Sequence, residues 1–499
     1  MLLGDYMYLS KSKYCQGYQC KKILWLNENK PEVMEEQGND SVLETGTEVG
    51  EYAKGLFGNY YDIEFNEDLS KMVEDTKKVI EKEDTCNITE ASFLYDNNFC
   101  SVDILRKKNN SYEIYEVKSS TEVKDIYLED ASYQYYVLTN LGYDVKKVCI
   151  VYINNRYVRK GELNLKELFK IEDITSLAKE KQDGIKERIQ EIQEYMKQEK
   201  EPTDSIGIHC MNPYDCPYFS YCTRDLEKPN VFSIHGMNRS TKFKLYNENH
   251  YTYSDLIHRN INPRYLEQID FELNNREPKI EIEKIQEFLS TLSEPLYFLD
   301  FETFQQAIPL YDGISPYEQI PFQYSLHYLE NGTLYHKEFL GEAGKDPRRS
   351  LAEQLVQDIP KNVCTVAYNM RFEKGVILRL AKMYPDLKDH LMNIHEHMKD
   401  LMIPFYNREY YTKDMQGSYS IKYVLPALFP NDPSLNYHNL EEIHNGSEAM
   451  NAFANMESLS KEEQEILRQH LLKYCELDTY AMVKIYDKLQ EKVKVKTKK

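Results

Sequence analysis

No run in this sequence approaches the roughly 18 consecutive apolar residues that a membrane-crossing helix needs. The opening residues, Met1-Leu2-Leu3-Gly4-Asp5, lack the basic head and apolar core of a secretory signal, so a cytoplasmic protein without a membrane partner is expected. A surplus of basic charge is missing too: 62 Lys and Arg face 82 Asp and Glu, for a formal net charge of −20. That balance excludes a protein that coats nucleic acid by charge alone. No GxxxxGK[ST] phosphate loop is present, so no P-loop motor is expected in this chain. The 10 cysteines are sparse in so long a chain, unlike the disulfide frameworks of small secreted domains.

What is there is a foldable composition, 41% hydrophobic and 29% charged. At roughly 100–200 residues per domain, 499 residues suggest two to four domains. Three zones stand out, with an α/β character at both ends. Residues 1–230 mix strand and helix signals, including a hairpin pattern from Phe99 to Lys118 and an amphipathic helix on Ile185, Ile189, Ile192 and Met196. Residues 231–290 read as a polar helical linker. Residues 291–490 form a second α/β unit, with strands at Leu296–Phe301, Phe322–Leu329, Leu334–Leu340 and Cys364–Tyr368, and helices at 349–358, 373–383, 421–428 and 461–489. A basic tail, 491–499, follows.

A hairpin turning near Asn109-Asn110 sets Asp103 roughly opposite Glu116, and Glu116 and Lys118, two apart, share a strand face. Two carboxylates suit Mg²⁺ or Mn²⁺, and a neighbouring ammonium can orient water or stabilise a charged phosphorus centre. Alone, the same residues also make an ordinary charged hairpin face. Around them lie Cys20 and the evenly spaced Cys210-x5-Cys216-x5-Cys222.

This ordered set resembles the RecB-like PD-(D/E)XK nucleases that carry an iron–sulfur cluster, among them the CRISPR-associated RecB-like exonucleases and the AddB nuclease domain. The resemblance implies a restriction-endonuclease-like fold with Asp103, Glu116 and Lys118 at the metal and catalytic positions. It implies Glu51, or else Glu48, as a further metal ligand from an early helix, and Gln134 as the glutamine of a late one. Cys20, Cys210, Cys216 and Cys222 would hold a [4Fe–4S] cluster that staples the ends of the domain. The chain departs from the pattern at Gly50, where the family often has histidine, and at Leu138, where it usually has tyrosine. Its late cysteines are spaced five and five rather than two and five. Cys15 competes with Cys20 as the first thiolate; Zn²⁺, or no metal at all, are the alternative readings of the four thiols.

The segment Leu296 to Thr303 is an apolar strand presenting Asp300 and Glu302 on one face, paired like charges that a cation would compensate. Tyr474 and Asp478 share a helix face, and Tyr368-Asn369-Met370-Arg371-Phe372-Glu373 opens a helix after a strand. Three strands, a helix, a strand and more helices is a ribonuclease-H-like order, and the motifs resemble the DnaQ-like (DEDD) 3′–5′ exonucleases. That resemblance implies that Asp300, Glu302, Glu373 and Asp478 hold two metal ions while Tyr474 orients the attacking water. Glu373 stands where the family has Asp. Asp400, on the next strand, is a supporting residue.

The segments Ile320 to His327 and Gly417 to Pro426 are similar to an uncharacterised bacterial family that joins two such halves, a similarity that reaches nearly the whole chain. The expectation is a metal-dependent nuclease acting on nucleic acid, with DNA ends preferred over RNA. The rival is a nucleic-acid-binding protein whose nuclease sites have decayed.

Overall fold

Alternating apolar and polar residues between Thr85 and Lys118 become long antiparallel strands in the computed structural model, which describes residues 8–35, 40–440 and 442–496. The fold is mixed α/β and divides into two units. The first comprises residues up to Leu226 together with Gln306–Glu318, and the second comprises Glu227–Gln305 and the chain from Gln319 onward. The segment 231–290, expected as a linker, therefore lies inside the second unit.

In the first unit the strands are β1 (Leu9–Ser10), β2 (Tyr61–Asp62), β3 (Thr85–Tyr95), β4 (Asn98–Lys108), β5 (Ser111–Lys118), β6 (Asp144–Ile153) and β7 (Phe169–Asp173). They form one mixed sheet in the order β2-β3-β4-β5-β6-β7, with β1 parallel to β4. The hairpin between β4 and β5 turns at Asn109, whose left-handed φ of +53° asparagine tolerates well. Helix Asp125–Asn140 carries the chain from β5 to the parallel β6, the crossover such a pair requires. One apolar layer packs this helix and Gln182–Tyr195 on the sheet through Ile114, Val137, Leu138, Ile189 and Ile192. The opposite face has its own layer, in which Tyr115, Val151 and Phe169 meet Ala307 and Ile308. The single tryptophan, Trp25, is buried and donates its indole N–H to the Gln198 carbonyl.

In the second unit the strands are β8 (Lys279–Ile280), β9 (Leu296–Phe304), β10 (Ile320–Glu330), β11 (Thr333–Leu340), β12 (Cys364–Ala367), β13 (Met398–Asp400) and β14 (Tyr410–Tyr411). Five of them make a mixed sheet in the order β11-β10-β9-β12-β13. β9, β10 and β11 are antiparallel, and β12 and β13 join them in parallel. Helices Arg348–Asp358 and Arg371–Met383 cover one face through Leu351, Leu355, Val376 and Leu380. The long helix Lys461–Lys496 covers the other through Leu477, Ala481 and Ile485. It runs through residues expected as a basic tail, because Leu489 and Val493 continue its apolar stripe; residues 497–499 lie outside the described residues. Short helices between 231 and 273 enclose a further cluster of Val231, Ile234, Leu256 and Ile269. Among the described residues, no helix is long and apolar enough to cross a membrane.

Candidate metal centres and thiol cluster

In the first unit, pairing lapses where Glu90 of β3 faces Asp103 of β4, and Glu90 adopts a left-handed φ of +55°. For a residue with a side chain this conformation is costly, and it persists where surrounding structure imposes it. Asp103 is freed to accept a 2.7 Å hydrogen bond from the Val117 N–H of β5. Beside it, Glu116 is 1% exposed. The Lys11 ammonium bridges the two carboxylates, 2.9 Å from Asp103 Oδ1 and 3.2 Å from Glu116. Lys118 lies 2.7 Å from Glu116 Oε1 and 2.6 Å from Asp130 Oδ2. Gln134, one turn after Asp130 on the crossover helix, donates to Glu116 at 2.6 Å and to Asp130 at 3.1 Å.

The electrostatics follow from this crowding. Burial works against the charge on both lysines, but the carboxylates around them outweigh it and hold each ammonium above its usual range. Burial and the neighbouring Glu116 push the Asp130 carboxyl up. Burial and Asp103 push Glu90 up to about 7. These residues line a cleft of about 680 Å³. Glu51 reaches the same cleft from helix Asp40–Lys54, largely exposed and 2.7 Å from Lys54. The structure thus brings Asp103, Glu116, Lys118 and Gln134 together and leaves Glu51 at the rim. Lys11, Glu90 and Asp130 belong to the cluster, although no motif in the sequence singles them out.

Cys20, Cys210, Cys216 and Cys222 line one small pocket, with Cys20 between two helices of the N-terminal segment. The Cys216 N–H donates to the Cys210 carbonyl at 2.8 Å, which folds the first interval of the trio back on itself. Burial, and the other cysteines beside them, raise the thiols of Cys210 and Cys216 to about 11 and about 12. Cys20 and Cys222 are raised as well, chiefly by burial. Cys15 faces the carboxylate cleft instead. Four buried thiols sharing one pocket form a donor set whose ionisation a thiophilic metal or cluster would compensate.

In the second unit, Asp300 and Glu302 project from β9 and Asp478 from helix Lys461–Lys496; one ligand oxygen from each lies within 4.8 Å of the others. Glu373, in the first turn of helix Arg371–Met383, is 3% exposed, and its Oε2 has no hydrogen-bond partner. Burial first, then repulsion from Asp478, raises the carboxyls of Asp300 and Glu302. Glu373 and Asp478 are raised too, mainly by burial. Opposing this, Tyr437 donates a 2.6 Å hydrogen bond to Asp478 Oδ1, and exposed Lys422 attracts Asp478 and Glu302. Tyr474 packs beside Tyr437, with ring centroids 6.1 Å apart, and stands in the field of Asp478, Glu302 and Asp300.

Asp400 accepts backbone N–H bonds from Asn369 (2.9 Å), Met370 (3.2 Å) and Met402 (3.0 Å). It thereby ties the turn between β12 and the helix that presents Glu373. A neighbouring cavity of about 1060 Å³ is lined by Lys422, Pro426, Tyr437 and Asn445. The structure brings Asp300, Glu302 and Asp478 together, with Glu373 and Tyr474 against them. Lys422 joins from the segment Gly417 to Pro426, and Tyr437 from one whose sequence carries no catalytic pattern.

Residues 297–420 match a family described as Domain of unknown function (DUF2779). The chain is also similar to the uncharacterized protein MG366 of Mycoplasma genitalium, with 25% identity over 377 residues. That alignment takes in 67% of this chain and 55% of the relative, so the chain spans about half of its length.

Proposed function

We propose that the protein is a metal-dependent nuclease with a DnaQ-like exonuclease site in its second unit and a RecB-like PD-(D/E)XK site in its first. The observation that carries this reading is the convergence of Asp300, Glu302 and Asp478 within 4.8 Å, with Glu373 beside them carrying a buried oxygen that lacks a partner. Buried like charges of this density call for cations, and an all-oxygen donor set suits Mg²⁺ or Mn²⁺. Such ions, when bound, supply the positive charge that compensates the carboxylates and a phosphodiester in their midst.

The chain's own residues then have distinct tasks. Asp300, Glu302, Glu373 and Asp478 hold the ions. Tyr474 orients water by its hydroxyl, and Tyr437 fixes the rotamer of Asp478. Lys422, exposed at the edge of the adjoining cavity, offers a cation to a phosphate of the incoming strand. In the first unit Asp103 and Glu116 are the ligands, Lys118 positions water or the charged phosphorus centre, and Gln134 fixes Glu116. The four cysteines would hold a [4Fe–4S] cluster in preference to zinc, clamping the chain before β3 to the segment after Gln182–Tyr195. DNA ends are the proposed substrate; the acidic net charge suits modest affinity and delivery by a partner such as a helicase.

End-labelled single-stranded DNA and RNA, incubated with the protein and Mg²⁺ or Mn²⁺, test this directly. Cleavage that falls in Asp300→Ala or in Asp103→Ala assigns it to one site. No cleavage of either polymer by the parent overturns the enzyme reading. Iron and sulfide after anaerobic preparation, lost in Cys216→Ala, test the cluster; zinc in their place overturns it.

A further inference from the structure

His327 of β10 and His336 of β11 are directly paired across the antiparallel strands, so both rings stand on one face of the sheet, centroids 4.5 Å apart. Glu476 reaches the same place from helix Lys461–Lys496. One ligand atom from each of the three lies within 4.8 Å of the others. Two hydroxyls organise the rings. The Thr479 hydroxyl donates to the Glu476 carbonyl (3.1 Å), and its oxygen meets His327 Nδ1 at 2.8 Å and Ser325 Oγ at 2.6 Å. Ser325 Oγ in turn meets His336 Nε2 at 3.0 Å.

The Thr479 and Ser325 hydroxyls hold one nitrogen of each imidazole, Nδ1 of His327 and Nε2 of His336, in hydrogen bonds whose direction follows the ring tautomer. The tautomer that protonates those two nitrogens leaves Nε2 of His327 and Nδ1 of His336 as lone-pair donors. This is how metal-binding histidines are held, with the second nitrogen anchored to fix tautomer and orientation. Glu338, two residues along β11 and on the same face, lies within electrostatic reach of both His336 and Glu476.

We propose that His327, His336 and Glu476 form a second metal site, for Zn²⁺ or a similar borderline transition ion. Two imidazoles and a carboxylate are a zinc donor set, unlike the all-oxygen group around Asp300. Metal–ligand bonds of ~2.0–2.2 Å would draw these donors closer together than the 4.8 Å limit within which they already lie. The ion ties β10 and β11 to the helix that also carries Tyr474 and Asp478, so it is a positioning site for that helix. The assignment does not depend on the nuclease reading.

The test is Zn²⁺ titration of the full chain in competition with a chromogenic chelator, comparing the parent with His336→Ala and Glu476→Gln. Circular dichroism reports whether each variant is folded. The expected result is one equivalent of Zn²⁺ whose affinity falls at least tenfold in both variants, while Cys216→Ser and Asp478→Asn retain it. Unchanged stoichiometry and affinity in either folded variant overturns the site. Glu476 is exposed on a helix, so Glu476→Gln decides the question if His336→Ala does not fold.

Discussion

Tyr437 donates its hydroxyl to Asp478 at 2.6 Å, from a short helical turn that precedes the Asp478 helix in the chain. The bond opposes the burial that raises the Asp478 carboxyl. Tyr437→Phe removes it while leaving the ring in place. Divalent affinity at the second-unit site should fall about 10–100-fold, the worth of one hydrogen bond to a charged group. Isothermal titration with Mn²⁺ checks this, and an unchanged thermal midpoint shows that the loss is local.

The four crowded carboxylates should make the ion-free protein less stable than it could be. A carboxyl raised in the folded state costs stability once the pH exceeds its ordinary value, because the unfolded chain then ionises freely while the fold disfavours the charge. Asp300→Asn should therefore stabilise the chelator-treated protein by about 1–2 kcal/mol at pH 7. Added Mn²⁺ should raise the parent's melting temperature and leave the variant's almost unmoved. Scanning calorimetry with and without chelator reads both effects.

Lys11 compensates Asp103 and Glu116, at 2.9 and 3.2 Å. Lys11→Met leaves two carboxylates facing each other. A loss of about 1–3 kcal/mol is expected in denaturant titrations, below the cost of a fully buried pair because Lys11 retains 24% side-chain exposure. Millimolar Mg²⁺ should restore more stability to this variant than to the parent.

Glu201 offers a pH signature away from either carboxylate site. Burial pushes its carboxyl up, but hydrogen bonds from Lys30, Tyr221 and Lys22 outweigh that and bring it down to about 2. The carboxylate thus stabilises the fold fully above the ordinary Glu range near ~4.3, and this support is lost as pH falls towards about 2. Glu201→Gln should cost about 1–2 kcal/mol at pH 7. The difference from the parent should shrink steadily between pH 4.5 and pH 2 in urea titrations.

Much of the architecture is legible in local pattern. Alternation from Phe322 to Tyr328 marks β10, a near-continuous apolar run marks β9, the Asn109-Asn110 turn marks the hairpin of β4 and β5, and the spacing of Ile185, Ile189 and Ile192 marks a helix, because each pattern follows from which faces are buried. Asp300 and Glu302 are conspicuous because charge interrupts an otherwise apolar strand. Lys11 is not, since one lysine in a polar helix start looks like any other until the fold carries it to Glu116. Tyr437 lies in a segment without periodicity. The pairing of His327 with His336 depends on hairpin register, which is set by the turn at Asn331 and Gly332, both with positive φ.

Residues 306–318 fall between β9 and β10 of the second unit yet belong to the first, where Ala307 and Ile308 are fully buried beside Val151 and Phe169. The polypeptide therefore passes from one unit to the other three times. Recombination at a single crossover near residue 226 could not exchange the halves as interchangeable cassettes. A descendant inheriting only the first 226 codons would lack Ala307 and Ile308, and with them the Arg159 guanidinium's bond to the Pro309 carbonyl. A protein cut at residue 226 would thus open part of the first unit's apolar layer to water.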